Sequence, residues 1–225
     1  MVRVDGISVA LRRMRAEDID QVLEIEREAF SPLWLGTPFK RELKNRYARY
    51  LVAVSEPEEG APPPSASQDQ ARPGGGSLWA RVLRSVHGAA KREAPEPVTD
   101  FGVTGYVGIW FQGNEAHVTE IAVKERLRGN GIGELLIIGT LRAAMEYGSS
   151  VITLEVRVSN FIAQRLYEKY GFKSAGIRKG YYSDNREDAV IMTTSPIHSE
   201  EYQRRFRELQ QAYLDRWREI SIGEE

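Results

Sequence analysis

The spacing of apolar residues predicts alternating strands and helices at the start of the chain. "ISVALRRM" alternates in the manner of a strand, and "AEDIDQVLEIEREAF" carries apolar residues close to the helical period. Proline and glycine punctuate the loop that follows. The elements predicted here are a strand over residues 7–14, a helix over 16–30, a loop over 31–38, a short helix over 39–49 and a strand over 50–55.

This pattern breaks at residue 56. Residues 56–98 are rich in proline, glycine, serine and charge, and such a composition cannot bury enough apolar surface to offset the entropy of ordering. They predict a disordered, low-complexity insertion between two strands. Its segment "SLWARVLRSVHGAAKR" has two interpretations, a basic helix that docks on a partner or an anionic surface, and a transient helix in a flexible loop.

Periodic segments resume after the insertion. A turn joins two strands at residues 112–114, and an apolar helix ends at Gly148. Ser159 or Asn160 caps a further helix, which Gly171 ends. The predicted elements are strands over 101–111 and 115–123, a helix over 132–148, a strand over 151–156, a helix over 159–172 and two strands around a polar loop within 174–194.

The tail forms a strongly amphipathic helix. Its apolar stripe consists of Tyr202, Phe206, Leu209, Tyr213, Trp217 and Ile220. Packing of this stripe against the domain is the first interpretation, and a partner or dimer interface is the alternative. The chain therefore reads as one domain over residues 1–195, interrupted by the insertion at 56–98, and a helical extension over 196–225.

Composition narrows the functional classes. The 225 residues carry a net charge of −1, which predicts no general attraction to nucleic acid. The absence of cysteine excludes disulfides and thiol nucleophiles, and three scattered histidines predict no metal site. No signal peptide is apparent, and no apolar run approaches the roughly 20 residues that span a membrane. We expect a cytoplasmic protein without a membrane partner.

The segment "ERLRGNGIGELL" (125–136) places three glycines between a strand and a helix. The first-turn N–H groups of a helix have no partners within it, and the helix dipole adds partial positive charge there. Arg126 and Arg128 add further charge. An anion site is the functional interpretation, and a turn that needs positive φ is the alternative.

Two nucleotide motifs fit this loop poorly. A Walker loop needs a lysine after its glycines, and none follows here. A dinucleotide fingerprint needs a glycine where Glu134 stands, although Glu155 lies roughly 20 residues on, where that motif has a ribose-binding acid.

A third motif fits better. "RGNGIG" matches R/Q-x-x-G-x-G/A, the acetyl-CoA pyrophosphate loop of the GNAT N-acetyltransferase family. The runs "IAV", "LEVRVSN", "LYEKYGF" and "YYSDNREDAVIM" follow the same order, so the chain resembles this family outside the insertion and tail. Within the family it looks most like the RimI-type enzymes, which acetylate the N-terminal alanine of a ribosomal protein. The insertion, the C-terminal helix and "FSPLWLGTPF" depart from that pattern.

The resemblance implies an α/β fold (α+β in some schemes), with a central mixed, mostly antiparallel sheet flanked by helices. It implies acetyl-CoA as the cosubstrate and no metal. The implied coenzyme-binding residues are Ile121, Val123, Arg128, Gly129, Asn130, Gly131, Ile132, Gly133, Asn160 and Tyr167. Asn160 can cap its helix and also bond the pantetheine arm. The implied substrate residues are Leu33, Trp34, Tyr181 and Tyr182, with Glu187 and Asp188 in the same loop as the tyrosines.

Acetyl transfer to an amine needs a proton acceptor, because a free α-amine has a pKa of about 7.7–8.0. The resemblance assigns this role to Glu155, a carboxylate in the otherwise apolar strand "VITLEV". An exposed strand residue paired with Arg157 is the alternative. Tyr167 is the implied general acid toward the coenzyme A sulfur, with Tyr170 as its nearest rival and a purely structural core aromatic as the alternative.

The expected reaction is acetyl transfer to the N-terminal α-amine of a protein, by direct attack in a ternary complex. A ribosomal protein is the candidate substrate that the resemblance implies. An enzyme that acetylates lysine side chains or small amines, and a non-catalytic acyl-CoA-binding adaptor that holds partners through the insertion or C-terminal helix, are the alternatives.

Overall fold

A computed structural model describes residues 2–4, 7–30, 33, 35–56 and 102–217. The predicted insertion lies outside the described residues, apart from Glu56. The strands are β1 (Val2–Val4), β2 (Ile7–Arg13), β3 (Ala48–Glu56), β4 (Gly102–Gln112), β5 (Glu115–Val123), β6 (Val151–Arg157), β7 (Phe172–Arg178) and β8 (Ala189–Thr194). The helices are α1 (Ile19–Ala29), α2 (Phe39–Glu42), α3 (Ile132–Tyr147), α4 (Phe161–Lys169) and α5 (Glu200–Trp217).

One sheet contains these strands in the order β1-β2-β3-β4-β5-β6-β8-β7. Every described neighbouring pair is antiparallel except β5 and β6, which are parallel. A parallel pair needs a crossover connection, and α3 supplies it. The mixed, mostly antiparallel sheet expected from the sequence is confirmed.

Helices cover the sheet on both faces. On one face, apolar residues of α3, α4 and α5 share a core with alternate residues of the strands. On the other face, α1 and α2 bury Val22, Ile25 and Phe39 against Tyr106 and Val52. The strands in the middle of the sheet are therefore apolar on both sides, and a charged side chain there needs a specific partner.

Helix α3 is the buried helix that the sequence predicts. It begins after Gly131 and ends before Gly148, and both glycines have positive φ, 77° and 87°. The left-handed conformation favours glycine because a Cβ would be strained there. Helix α4 begins at Asn160, whose side chain accepts a hydrogen bond from the Ala163 N–H at 3.2 Å.

Helix α5 packs onto the domain, as its apolar stripe predicts. Tyr202, Phe206 and Tyr213 are buried in the core that α3 and α4 share. The Tyr202 hydroxyl donates to the Tyr170 carbonyl at 2.6 Å, which ties α5 to the end of α4. Ile220 lies outside the described residues. Of the helices described, none is long and apolar enough to cross a membrane.

Two local predictions differ from the structure. The helix predicted over residues 39–49 ends at Glu42, and Ala48 already belongs to β3. The Asn45 side chain accepts a hydrogen bond from the Tyr47 N–H at 3.0 Å, a local bond that competes with helical pairing. The short edge strand β1 was not predicted from the sequence.

Candidate active site

Strands β5 and β6 pair only at their beginnings. The last paired residues are Val118 and Leu154, and beyond them the two strands no longer share a ladder. A bulge occurs at the same level of β5, because Gly108 of β4 pairs with Glu120 and Ile109 pairs with Val118. Bulges re-aim side chains. The strands therefore open into a cleft whose β5 wall is formed by residues 119–123.

The glycine loop lies at the end of this β5 wall. Gly129 has a φ of 82°, and apart from its chain neighbours no atom of the described residues would lie within 4 Å of a Cβ placed on it. At Gly133 the nearest atom to such a Cβ is on Leu166, at 3.8 Å. Among the described residues no side chain caps the start of α3, so the first-turn N–H groups there can serve an anion.

Two loop side chains bond to the main chain around them. The Arg128 Nε donates to the Val123 carbonyl at 3.3 Å, and the Asn130 amide donates to the Leu127 carbonyl at 3.3 Å. Both bonds stabilise the turn between β5 and α3. Arg128 and Asn130 therefore support the loop through their side chains. The N–H groups of Ile132 and Gly133 lie at the first turn of α3.

Glu155 follows Leu154 directly, where the two strands separate. Strand alternation turns it away from the core that buries Leu154 and Val156. Its side chain is only 6% exposed, and its carboxylate lies 3.3 Å from His117 Nε2 and 3.1 Å from Arg178. It belongs to a three-member ion cluster drawn from strands β5, β6 and β7.

The predicted alternative pairing of Glu155 with Arg157 is wrong. Arg157 instead bonds Asp184 at 2.8 Å and Glu187 at 3.0 Å, both in the loop between β7 and β8. The loop carboxylates attract this guanidinium away from its neighbour on the strand.

Tyr167 of α4 is buried, with its ring 5.8 Å from that of Phe172. Burial raises the pKa of the Tyr167 hydroxyl, and nearby Tyr182 raises it further. The hydroxyl therefore keeps its proton at neutral pH. The rival Tyr170 donates its hydroxyl to Glu134 at 2.8 Å, on the α3 side. Both tyrosines pack in the core, and the Tyr170 hydroxyl is directed to α3.

Tyr182 connects the two candidate catalytic residues. Burial raises the pKa of Tyr182 to about 12 against the opposing effect of Arg157, and the charge of Glu155 contributes to the rise. The Arg157 guanidinium stacks on the Tyr182 ring at 3.9 Å. Tyr182 thus lies within electrostatic range of Glu155, and the pKa of Tyr167 responds to Tyr182 in turn.

The loop that carries Tyr181 and Tyr182 is tied to the start of α4. The Ser159 N–H donates to Glu187 at 2.9 Å, and hydrogen bonds from Ser159 and Arg157 lower the pKa of Glu187 to about 2. Asp188 accepts from the Gly180 N–H at 2.8 Å. These acids hold the loop in place: Glu187 is engaged by Arg157 and Ser159 outside the loop, and Asp188 by groups within it.

The second substrate wall predicted from the sequence is described only in part. Leu33 is 63% exposed, and Trp34 lies outside the described residues. Thr37, in the same loop, donates its N–H to Glu26 at 3.1 Å and its hydroxyl to Glu120 at 3.3 Å. This loop is therefore attached to β5 just beyond the bulge.

Ile121 and Val123 lie on the end of β5, and Asn160 lies at the start of α4. Ile121 and Val123 pack partly buried against the α3 side of the sheet, on the part of β5 that β6 does not pair. Main-chain groups there have one edge available to a ligand's amides. Asn160 uses its side-chain oxygen as the α4 cap, and its amide nitrogen remains a potential donor.

Sequence reasoning missed three residues near the cleft. His117 and Arg178 were not linked to Glu155, because strand register decides that contact. Glu120 is buried, and desolvation raises its pKa. The alternation of "EAHVTEIAV" predicts that Glu120 shares a face with Ala116, Val118 and Ala122, and a carboxylate on that apolar face could have indicated this residue. In the described residues, no group of three or more histidines and acids is arranged to hold a metal ion.

The chain is similar to known acetyltransferases. The model of the acetyltransferase (GNAT) family matches residues 85–172. A Bacillus subtilis protein, provisionally named a ribosomal protein bS18-alanine N-acetyltransferase, is 36% identical over 81% of this chain and 93% of its own length. An N-alpha-acetyltransferase of Saccharolobus solfataricus is 30% identical over 83% of this chain and 93% of its own. The crystal structure of the Escherichia coli ribosomal-protein-S18-alanine N-acetyltransferase covers 85% of this chain and 96% of that one, with a TM-score of 0.58 and 22% identity.

Proposed function

This chain belongs to the acetyltransferase (GNAT) family, and we propose that it transfers acetyl from acetyl-CoA to the N-terminal α-amine of a protein. The names of the relatives support an α-amine as acceptor, and the B. subtilis relative supports a ribosomal protein among the substrates. The observation that carries the proposal is the position of Glu155, immediately beyond the last paired residues of β5 and β6.

The coenzyme side of the site is the cleft wall and the glycine loop. The N–H groups of residues 129–133 hold the diphosphate, and the unpaired edge of Ile121 and Val123 holds the pantetheine amides. Asn160 donates to the same arm from the start of α4. Bound here, the coenzyme supplies an acetyl thioester at the separation point of the strands. Positioning of both substrates can contribute on the order of 7 kcal/mol or more to the rate.

Glu155 takes the proton from the amine, directly or through water. The amine nitrogen then bonds to the acetyl carbon and the carbon–sulfur bond breaks. Tyr167 donates its proton to the departing sulfur, since burial keeps its hydroxyl protonated until that point. Transfer is direct, because the sequence has no cysteine to carry the acetyl group.

The acceptor approaches between two loops that reach neighbouring strands. The loop of Leu33 and Thr37 attaches to β5 through Glu120. Arg178 links the loop of Tyr181 and Tyr182 to Glu155 on β6, because its guanidinium lies 5.5 Å from the Tyr181 ring and 3.1 Å from the Glu155 carboxylate. Exposed apolar side chains stand on both sides, with Leu35 on the first loop and Tyr181, 44% exposed, on the second. Such side chains suit the main chain and small side chains of a peptide terminus.

The test is acetylation of peptides that begin with Ala, Ser, Thr, Gly or Met, scored by mass spectrometry. We expect acetyl on the free N-terminus and none when that terminus is blocked. The control peptide has a blocked terminus and an internal lysine. Acetylation of that lysine would favour the side-chain alternative. Coenzyme binding without turnover on any amine would favour the adaptor and refute the proposal.

A further inference from the structure

The last turn of α5 lies directly on the glycine loop. The Tyr213 hydroxyl donates to the Gly131 carbonyl at 3.2 Å. The Trp217 indole lies against the same glycine, because a Cβ placed on Gly131 would be 2.6 Å from Cε2 and 2.7 Å from Nε1 of that ring. No side chain would fit between them. The C-terminal helix therefore contacts the loop assigned to the coenzyme diphosphate.

The indole nitrogen of Trp217 is buried and has no hydrogen-bond partner in the described part of the chain. An indole N–H can only donate, and a buried donor without an acceptor costs free energy. Buried tryptophans usually satisfy this group. An unsatisfied donor beside an anion-binding loop is therefore an unusual arrangement that a ligand oxygen would relieve.

The nearest acid of the loop does not supply that acceptor. Glu134, in the first turn of α3, accepts hydrogen bonds from Tyr170 at 2.8 Å and from Lys169. Lys169 balances the charge of this carboxylate, the one acid in the first turn of the helix, and the Tyr170 hydroxyl adds a hydrogen bond. An anion that approaches Gly131 consequently meets amides and an indole N–H, and the neighbouring acid is paired.

We propose that Trp217 is a coenzyme-binding residue whose indole N–H donates to an oxygen of the coenzyme A diphosphate. This inference rests on the proposed function, because it takes coenzyme A as the ligand. The indole stands in the last described turn of α5, against the glycine loop. The C-terminal helix thereby becomes part of the coenzyme site.

The test is calorimetric titration of coenzyme A into the wild type, Trp217→Phe and Trp110→Phe. Phenylalanine keeps an aromatic ring and removes the N–H together with part of the packed indole area, so the melting temperature of each variant is measured beside its affinity. Trp110 is the matched control, a 37% exposed indole on β4. We expect Trp217→Phe to weaken binding about tenfold, as for a lost hydrogen bond to a charged group, and Trp110→Phe to leave it unchanged.

A second ligand identifies which phosphate is bound. The compound 3′-dephospho-coenzyme A retains the diphosphate and lacks the ribose phosphate. The effect of Trp217→Phe should be the same with both ligands. A loss of the effect with 3′-dephospho-coenzyme A would assign the contact to the ribose phosphate and overturn the proposal.

The remaining outcomes are also decisive. Equal coenzyme A affinity of the wild type and Trp217→Phe refutes the inference. If the variant also melts at a lower temperature without coenzyme, the indole contributes only packing. Tighter binding by Trp217→Phe or Trp217→Ala also refutes it, since the helix then covers the site. A wild type that binds no coenzyme A refutes the proposed function, and this inference with it.

Discussion

Replacement of Glu155 by glutamine separates the catalytic role of the carboxylate from its structural role. Glutamine has nearly the same shape but carries no charge and takes no proton near neutral pH. A positioned general base accelerates a reaction about 10²- to 10⁴-fold, which corresponds to about 3–5 kcal/mol of activation free energy. We therefore expect Glu155→Gln to lower kcat/KM at least about 100-fold.

Glu155→Gln should change the free energy of unfolding much less than the activation free energy. The contacts of Glu155 allow this change to be estimated. The variant loses the carboxylate's ion pair with Arg178 at 3.1 Å and its contact with His117 at 3.3 Å. Arg178 is 54% exposed, so water can solvate its guanidinium after the change. Ion pairs with such exposed members contribute about 0–1 kcal/mol. The free energy of unfolding should thus fall by about 1 kcal/mol or less.

The assay compares kcat/KM on an alanine-starting peptide with urea unfolding of the same samples. Glu146→Gln is the matched control, because it removes a surface ion pair with Arg49, 2.6 Å long, from α3. The control should keep its activity, and its free energy of unfolding should fall by a similarly small amount as that of Glu155→Gln. If Glu155→Gln retains more than about a tenth of wild-type kcat/KM, the carboxylate is not the base and the reasoning is refuted.

Three further outcomes are expected. Tyr167→Phe should lower kcat about 10- to 100-fold with little change in coenzyme A affinity, whereas Tyr170→Phe should not, and equal losses in the two variants would remove the acid assignment. Burial raises the pKa of Glu120, so its protonated form is favoured in the fold and the wild type loses stability as pH rises above the ordinary value of 4.5. Glu120→Gln should therefore gain melting temperature relative to the wild type between pH 4 and 8, and a constant difference across that range would contradict the shift. Phe206→Ala should lower the free energy of unfolding by about 3 kcal/mol in urea, because its ring is 5% exposed in the shared core; a loss below about 1 kcal/mol would show that α5 is only loosely attached.

Local pattern in the sequence was enough to predict most of the elements. The apolar helix between Gly131 and Gly148, the cap at Asn160 and the turn at Gly113 all depend on neighbouring residues, and the structure has each of them. The helix over residues 39–49 was the exception, since one side-chain bond of Asn45 competes with it. The order of the motifs along the chain also predicted the family, because several short runs in one order restrict the fold more than any single run does.

Contacts between distant segments could not be predicted in this way. His117 and Arg178 meet Glu155 only because β5, β6 and β7 fold into one sheet with a specific register. Trp217 reaches Gly131 because α5 runs back to the start of α3. The sequence by itself determined most of the helices and strands and the family they build, since spacing and turn chemistry act over a few residues. Only the tertiary structure decided which charges pair at the cleft and what covers the glycine loop, because those depend on register and packing between segments far apart in the chain.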